Sequence, residues 1–268
     1  MVERRRIVVK VGTSTLTHGT GELDLRRMER LVRTLSDIRA MGNELVLVSS
    51  GAIAVGTAQI GLSERPKELR VKQAVAAIGQ CSMMHIYDKL FSEYNRTVAQ
   101  ILLTGDDVKH EERAMHLSNT FTTLLEMGVI PIVNENDSVS SAEIETGEKK
   151  VLGDNDTLSA IVASLCHADL LVILSDIDGL YDADPRSVPG AKLIAEVDEL
   201  TDDIIAMAGG AGTSRGTGGM QTKLSAARIA MEAGTDMVIA NSAHLESLYD
   251  ILEGKSVGTR FVARRQEA

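Results

Sequence analysis

Short apolar segments recur along this chain and alternate with segments of helical periodicity. Residues 44–48 read Glu-Leu-Val-Leu-Val, and residues 169–174 read Asp-Leu-Leu-Val-Ile-Leu. A strand with one face in water would alternate apolar and polar residues, so these runs predict strands that are covered on both faces. Buried strands that alternate with helices are typical of parallel sheets. The sequence therefore predicts an α/β fold.

The same patterns assign most of the chain to elements. Predicted strands cover residues 6–10, 44–48, 98–103, 129–133, 169–174, 237–240 and 258–262. Predicted helices cover residues 24–41, a segment after 51, 67–95 as one helix or a broken pair, 111–127, 158–166, 224–231 and 245–252. Residues 104–107 predict a turn, and two further turns predict a β-hairpin that reaches residues 193–197. Residues 139–152 favour a solvated hairpin, with a lid as the alternative.

Composition excludes several classes of protein. With 268 residues, of which 44% are hydrophobic, the chain suits one large α/β domain or two small ones. A net charge of −10 argues against a nucleic-acid partner, which needs a concentrated positive field. No apolar run approaches the roughly 20 residues that span a bilayer, and residues 1–6 begin no signal peptide. We therefore expect a cytoplasmic protein with no membrane partner.

Cysteine and histidine give no indication of a metal site. Cys81 and Cys166 fall in predicted helices without a neighbouring cysteine, and we expect both to be reduced core thiols. None of the six histidines is paired with another histidine or a cysteine at metal-ligand spacing. The sequence therefore predicts no metal-ligating residues.

The first strand leads into a candidate phosphate site. Lys10 ends an apolar run, and Gly12 and three hydroxyl residues follow at positions 13–15. The ammonium, the backbone N–H groups that glycine makes accessible and the hydroxyls are all donors to a polyanion. A solvated strand end is the alternative, so this site needs matching groups from elsewhere in the chain.

A second candidate anion site follows the next strand. Ser49, Ser50 and Gly51 precede a helical segment, which would place backbone N–H groups and two hydroxyls at a helix N-terminus. A simple serine cap is the alternative.

Polar side chains also follow the predicted strand 129–133. Asp137 belongs to the cluster at residues 134–138, at the strand end where open α/β sheets bind ligands. Asp154, Asn155 and Asp156 then open a helix. Capping requires only one of these three side chains, so two are candidates for another role.

Six glycines lie between residues 209 and 219, just before Lys223 and a predicted helix. The segment matches neither the Walker A pattern nor the Rossmann fingerprint. Its backbone could approach a ligand closely, and Lys223 could reach phosphates held by the loop. A disordered linker is the alternative.

Together these features suit phosphoryl transfer from a nucleotide to an anionic acceptor. Two lysines far apart in sequence, Lys10 and Lys223, would act together with two candidate anion sites and with the carboxylates of Asp137, Asp154 and Asp156. Phosphoryl transfer depends on positioning and on charge stabilisation more than on a covalent nucleophile. A carboxylate acceptor is already ionised at neutral pH, so it needs no general base.

Six segments resemble the glutamate 5-kinases of the amino acid kinase superfamily. They are IVVKVGTS at 7–14, VSSGAI at 48–53, NEND at 134–137, GDND at 153–156, SDIDGLY at 175–181 and GTGGMQTK at 216–223. The resemblance implies a three-layer αβα sandwich around a mostly parallel sheet, formed by residues 1–268 as one domain. The N-terminal half would hold mainly glutamate and the C-terminal half mainly ATP. The implied reaction is ATP-dependent phosphorylation of the γ-carboxylate of L-glutamate, the first step of proline biosynthesis.

The resemblance also implies roles for matching residues. Lys10 and Lys223 would neutralise the transferring phosphoryl group, and Asp156 would hold the two ammonium groups. The implied glutamate site comprises Ser50, Gly51, Asp137 and Asn155. The implied ATP site comprises Lys10, Gly12, Ser175, Asp176, Thr217, Gly218, Gly219, Met220, Gln221, Thr222 and Lys223. Mg²⁺ would be held largely by the phosphates, with waters completing its shell.

The resemblance further implies inhibition by proline, assembly as a dimer or tetramer, and transfer of the labile product to glutamyl phosphate reductase. Many members carry an additional C-terminal domain of the RNA-modification type, whereas this sequence ends at Ala268, and we expect catalysis not to depend on that domain. N-acetylglutamate, aspartate, carbamate and UMP are alternative acceptors. A non-catalytic sensor of amino acids or nucleotides is the alternative from another class.

Overall fold

A mostly parallel sheet forms the centre of the protein. The computed structural model describes residues 4–140, 154–185, 187–207 and 219–263. Its strands are β1 (Arg6–Val11), β2 (Glu44–Ser49), β3 (Val98–Leu103), β4 (Ile130–Glu135), β5 (Leu170–Ser175), β6 (Glu196–Val197), β7 (Asp236–Asn241) and β8 (Thr259–Phe261). Their order in the sheet is β3-β4-β2-β1-β5-β7-β8-β6. Only the β7–β8 pair among them is antiparallel.

Helices cover both faces of this sheet. They are α1 (Thr13–Leu16), α2 (Leu25–Ala40), α3 (Ala52–Gln59), α4 (Leu69–Ser92), α5 (Gly105–Lys109), α6 (Glu111–Glu126), α7 (Asn155–Leu165), α8 (Asp202–Met207), α9 (Met220–Glu232) and α10 (Ser247–Leu252). In β1, Val8 packs into the core beneath α6, α7 and α9, whereas Ile7 and Val9 pack into the core beneath α2, α4 and α10. The predicted three-layer αβα architecture is therefore confirmed.

Helix α3 crosses α4 at two glycines. A Cβ atom on Gly56 would lie 1.8 Å from the carbonyl oxygen of Val75, and one on Gly79 would lie 1.9 Å from that of Ala52. Neither position has room for a side chain. The sequence left open whether residues 67–95 form one helix, and the structure shows that α4 continues through Gly79, because this glycine serves helix packing rather than a break.

Two sequence predictions about local structure are confirmed only in part. Cys81 is exposed on α4 rather than part of the core, whereas Cys166 is buried as expected, and burial raises the pKa of its thiol to about 12. The predicted hairpin is confirmed in part, since Tyr181 and Leu193 form an antiparallel bridge, whereas Glu196–Val197 pairs in parallel with β8. The excursion predicted at residues 139–152 lies almost wholly outside the described residues.

One strand end and two short helices also differ from the prediction. β4 extends through Glu135, since Asn134 and Glu135 pair with the end of β3. The predicted turn at residues 104–107 opens α5, where Thr104 and Asp107 form a reciprocal capping box. The loop expected after Lys10 contains the single turn α1.

Candidate active site

A cleft of about 560 Å³ opens at the carboxyl ends of β1, β2, β4 and β5. β1 lies between β2 and β5 in the sheet. α2, which leads into β2, and α7, which leads into β5, pack on opposite faces of the sheet. Such a switch in strand order leaves a crevice beyond the strand ends, where α/β proteins bind ligands. The sequence-predicted residues that line the cleft are Lys10, Gly12, Ser50, Gly51, Asp137, Asn155, Asp156, Ser175, Asp176 and Lys223.

Asp156 lies between two buried lysines at the floor of the cleft. Lys10 Nζ is 2.6 Å from Asp156 Oδ1, and Lys223 Nζ is 3.1 Å from Oδ2. The hydroxyl of Thr222 donates to the same Oδ2 at 3.0 Å. Asp156 is 1% exposed, and Lys10 and Lys223 are 8% and 4% exposed. The three side chains together carry a net positive charge at a site with little access to water.

Burial and neighbouring charges act in opposite directions on the Asp156 carboxyl. Burial raises its pKa, but the charges and hydrogen bonds of Lys10 and Lys223 outweigh burial and hold the pKa below its usual value. Asp156 is therefore ionised at neutral pH. Asp154 differs, because burial raises its pKa more than the N–H groups of Asp156 and Thr157 lower it.

Asp154 explains how α7 presents its first two residues to the cleft. Its side chain caps α7 by accepting from the N–H groups of Asp156 and Thr157 at 2.8 and 3.0 Å. Of the three polar residues at positions 154–156, one thus serves as the cap, as expected from the sequence. Asp154 lines the cleft as well, and the side chains of Asn155 and Asp156 are left for another role there.

A hydrogen-bond network joins Asn155 to the ends of β2 and β4. Asn155 Nδ2 lies 2.6 Å from Ser50 Oγ and 3.2 Å from Asn134 Oδ1. Asn134 in turn donates to Gln80 Oε1 on α4 at 3.0 Å. Gly51 caps α3 with a φ of 109°, a left-handed conformation that favours glycine. The network fixes the hydroxyl of Ser50 and the amide of Asn155 at the wall of the cleft.

The remaining predicted residues follow strands or belong to α9, which begins at Met220 rather than at the predicted residue 224. Asp137 is half-buried in the turn after β4, Ser175 ends β5, and Asp176 follows it on the surface. Gly219 precedes α9, and the first turn of α9 contains Met220, Gln221, Thr222 and Lys223. Of these, Lys223 belongs to the described cleft lining and the other four residues do not. Thr217 and Gly218 lie outside the described residues.

Sequence reasoning missed several residues that shape the cleft. Asn134 was part of a noted polar cluster, but nothing in the sequence showed that it would contact Asn155. The hydroxyl of Thr222 contacts Asp156, which the sequence did not show, while the assignment of Thr222 to the nucleotide site stays a prediction. Lys72 and Gln73 line the cleft from the first turn of α4. Their segment was read only as part of a helix, because helical periodicity does not show which end meets a ligand.

The described ranges contain no cluster of three histidine, cysteine or acidic side chains that could hold a metal ion. Nor does any helix in these ranges combine the length and the apolar character needed to cross a membrane.

Comparisons with known proteins identify the family. The amino acid kinase family model matches residues 5–241. Glutamate 5-kinase from Clostridium perfringens is 56% identical over 99% of this chain and 98% of its own length. The chain belongs to the glutamate 5-kinases of the amino acid kinase family. Another glutamate 5-kinase, from Listeria innocua, is 48% identical over 98% of this chain and 95% of its own length.

Solved structures support the fold of this glutamate 5-kinase family member. A carbamate kinase from Giardia lamblia bound to AMP-PNP superposes with a TM-score of 0.66 at 18% identity, over 98% of this chain and 99% of its own. A UMP kinase from Ureaplasma parvum superposes with a TM-score of 0.64 at 14% identity, over 97% and 99%. At these identities the likeness establishes the shared fold.

Proposed function

We propose that this protein transfers the γ-phosphoryl group of ATP to the γ-carboxylate of L-glutamate, forming L-glutamyl 5-phosphate, the first step of proline biosynthesis. The observation that carries this proposal is the buried Lys10–Asp156–Lys223 cluster at the floor of the cleft. The close relatives are glutamate 5-kinases, which supports glutamate as the acceptor.

Lys10 and Lys223 are proposed to stabilise the transferring phosphoryl group. In the reaction, an oxygen of the γ-carboxylate forms a bond to the γ-phosphorus of ATP, and the bond from that phosphorus to the β–γ bridging oxygen breaks. Negative charge shifts from the carboxylate to ADP, and no proton has to move. Two buried ammonium groups beside this path are effective because they are held in place, with little water to reorganise. Asp156 keeps both lysines oriented.

Ser50, Gly51, Asn155 and Asp137 are proposed to bind glutamate. The Asn155 network holds Ser50 Oγ beside the start of α3, where hydroxyl and backbone donors can meet a carboxylate. Asp137 lines the same cleft and is proposed to pair with the substrate ammonium. N-acetylglutamate has no such cation, so this pairing favours the free amino acid.

ATP and Mg²⁺ fit the chemistry of the remaining cleft residues. Phosphate oxygens suit the net positive charge of the lysine cluster, and Gly12, Ser175, Asp176 and the residues from Thr217 to Lys223 are the proposed nucleotide site. Because the described residues offer no three-ligand metal cluster, Mg²⁺ would be held largely by phosphates and water. Bound there, it would offset negative charge on the phosphates.

We also propose that residues 1–268 work as one domain, with the glutamate site mainly in the N-terminal half and the ATP site mainly in the C-terminal half. The continuous sheet supports a single domain. The division is supported by Ser50 and Asp137, which line the cleft from the N-terminal half, and by Ser175 and Lys223, which line it from the C-terminal half. Inhibition by proline, a dimeric or tetrameric assembly, a cytoplasmic location and transfer of the labile acyl phosphate to glutamyl phosphate reductase complete the proposal.

The test measures ADP release with Mg-ATP and each of four acceptors: L-glutamate, N-acetyl-L-glutamate, L-aspartate and UMP. Hydroxylamine in the assay converts an acyl phosphate to a hydroxamate. We expect turnover and hydroxamate with L-glutamate alone.

Turnover with another acceptor and none with L-glutamate would assign that acceptor as the substrate. No turnover with any of the four acceptors, in folded protein that binds ATP, would favour the alternative function of a non-catalytic sensor of amino acids or nucleotides. A Lys10→Met variant run in parallel provides the control for contaminating kinases.

A further inference from the structure

Lys72 is a cation of the cleft to which the proposed reaction assigns no role. It lies in the first turn of α4, is half-buried and lines the cleft. Unlike Lys10 and Lys223, it forms no ion pair or hydrogen bond with the residues that the structure describes. A lysine that is partly withdrawn from water without a counterion is available for an anionic ligand.

The first turn of α4 is joined to the turn that carries Asp137. Gln73, next to Lys72, donates from Nε2 to the carbonyl oxygen of Ser140 at 3.3 Å. Gln73, Ser140 and Asp137 all line the cleft. Lys72 and Asp137 therefore contribute opposite charges to one wall of the cleft, from two segments that are in direct contact.

Helix stability does not account for a lysine at this position. The first turn of a helix carries the positive end of the helix dipole, which disfavours a cation there. Residues 69–72, the first turn of α4, include no acidic side chain, and the N-cap Glu68 pairs with Arg70 at 2.9 Å rather than with Lys72. The position is thus unfavourable for the isolated helix, and a ligand carboxylate would make it favourable.

The proposed glutamate site provides no cation for one charged group of L-glutamate, the α-carboxylate. The γ-carboxylate lies with Lys10 and Lys223 in the proposed reaction, and the ammonium pairs with Asp137. We propose that Lys72 binds the α-carboxylate and so selects, with Asp137, an acceptor that bears a free α-amino acid group. This inference rests on the proposed function and adds a specificity residue to it.

Arg65 is the competing cation at this end of the cleft. It lines the cleft from the segment before α4, but it is exposed and therefore well solvated. Its charge is weakened by water more than that of the half-buried Lys72. An Arg65→Gln variant tests this alternative directly.

The experiment compares Lys72→Met with Lys72→Arg and Lys67→Met. Methionine removes the charge and keeps most of the side-chain length, arginine retains the charge, and Lys67 is an exposed lysine outside the described cleft lining. For Lys72→Met we expect the KM for L-glutamate to rise at least about tenfold, since a charged hydrogen bond is lost. The kcat and the KM for ATP should change less than about twofold. Lys72→Arg should recover part of the affinity, and Lys67→Met should match the unchanged protein.

A substrate analogue that lacks the charge of the α-carboxylate shows which group of glutamate Lys72 contacts. L-isoglutamine keeps the ammonium and the γ-carboxylate but has a neutral amide in place of the α-carboxylate. Its affinity is measured by competition with L-glutamate, and we expect the same value in Lys72→Met and in the unchanged protein.

Three results would overturn the inference. The first is an unchanged KM for L-glutamate in Lys72→Met. The second is a loss of affinity for isoglutamine in Lys72→Met that equals its loss for L-glutamate. The third is a rise in the KM for ATP in Lys72→Met in place of a rise in the KM for L-glutamate. A tenfold effect confined to Arg65→Gln would assign the α-carboxylate to that residue. Each of these outcomes leaves glutamate turnover intact, whereas failure of the proposed function would appear as no glutamate turnover in the unchanged protein.

Discussion

Asp156 shows how a buried charge can serve chemistry at the expense of stability. Burying one carboxylate and two ammonium groups carries a desolvation penalty that their mutual attraction only partly offsets. Well-packed apolar side chains would stabilise this region at least as well. The arrangement instead fixes two cations beside the cleft before the substrate arrives, which is what phosphoryl transfer requires.

Removing either lysine should affect turnover more than substrate binding. For Lys10→Met and for Lys223→Met we expect kcat to fall about a hundredfold or more, by comparison with the loss of one preorganised donor to a developing charge. Steady-state kinetics with L-glutamate and Mg-ATP measure this.

The control for these variants is Lys89→Met, which removes an exposed lysine from α4. Its kcat should stay unchanged. Near-normal turnover in folded Lys10→Met and Lys223→Met would exclude both lysines from the reaction.

Asp156→Asn should destabilise the fold in a pH-dependent way. At pH 7 the variant leaves two buried ammonium groups without their carboxylate, and we expect a loss of about 3 to 5 kcal/mol in the free energy of unfolding. The folded-state pKa of Asp156 lies below its usual value of 3.8. Its stabilising contribution is therefore complete above that pH and is lost as the pH falls through the folded-state pKa.

Urea unfolding of both proteins from pH 7 downwards measures the difference in stability. The difference should stay constant to about pH 4 and narrow below it. Asp88→Asn, at an exposed position on α4, is the matched control and should show little difference at any pH. A gap that narrows already near pH 6 would contradict the depressed pKa.

Among the secondary-structure elements, long apolar strands were predictable and short helices were not. Five consecutive apolar residues in β5 indicate a buried strand with no further information. α1 and α5 have four and five residues, which is too few for a periodic pattern. For α5 the capping box of Thr104 and Asp107 was a usable signal. The role of Gly79 depends on the partner helix, which local sequence does not reveal.

The α3–α4 crossing connects helix packing to the substrate site. In Gly79→Ala the new Cβ would lie 1.9 Å from the carbonyl oxygen of Ala52 and 2.6 Å from the N atom of Gly56. Alanine favours helices over glycine, yet we expect the free energy of unfolding to fall by about 3 kcal/mol, because backbone atoms have to move. The shift of α3 should also displace Ser50 and raise the KM for L-glutamate.

Chemical denaturation and glutamate kinetics measure both effects of Gly79→Ala. Ala77→Leu adds a larger side chain on the exposed side of α4 and should change the free energy of unfolding by less than about 0.5 kcal/mol. Unaltered stability in Gly79→Ala would mean that the two helices can separate freely.

At the scale of the whole molecule, the sequence predicted the site better than the strand order. Polar residues after apolar strands predict a shared ligand edge, because the carboxyl ends of parallel strands lie together. The position of β1 between β2 and β5 depends on how the crossovers pack, and no local pattern encodes it. For the same reason, the contact of Lys10 and Lys223 with one carboxylate was expected only from the resemblance to a family.

Because the two proposed substrate sites share one sheet, we expect a ligand at either site to stabilise the protein against the same unfolding transition. β1, β2 and β5 are hydrogen-bonded neighbours or share a neighbour in the sheet, so a ligand bound to either half stabilises the same cooperative unit. We expect L-glutamate and Mg-ATP each to raise the midpoint of a single thermal transition. At a hundredfold excess over its Kd, each ligand should add about 2.7 kcal/mol, which corresponds to several degrees.

Calorimetry with each ligand alone and with both measures this coupling. D-glutamate at equal concentration is the matched control for nonspecific effects of an anionic solute, and its shift should be smaller than that of L-glutamate. Two separate transitions, one raised only by L-glutamate and the other only by Mg-ATP, would show that the two halves unfold independently. A single transition whose midpoint is raised by each ligand would support one domain. Both halves would then unfold together, because the two sites share strands of one sheet.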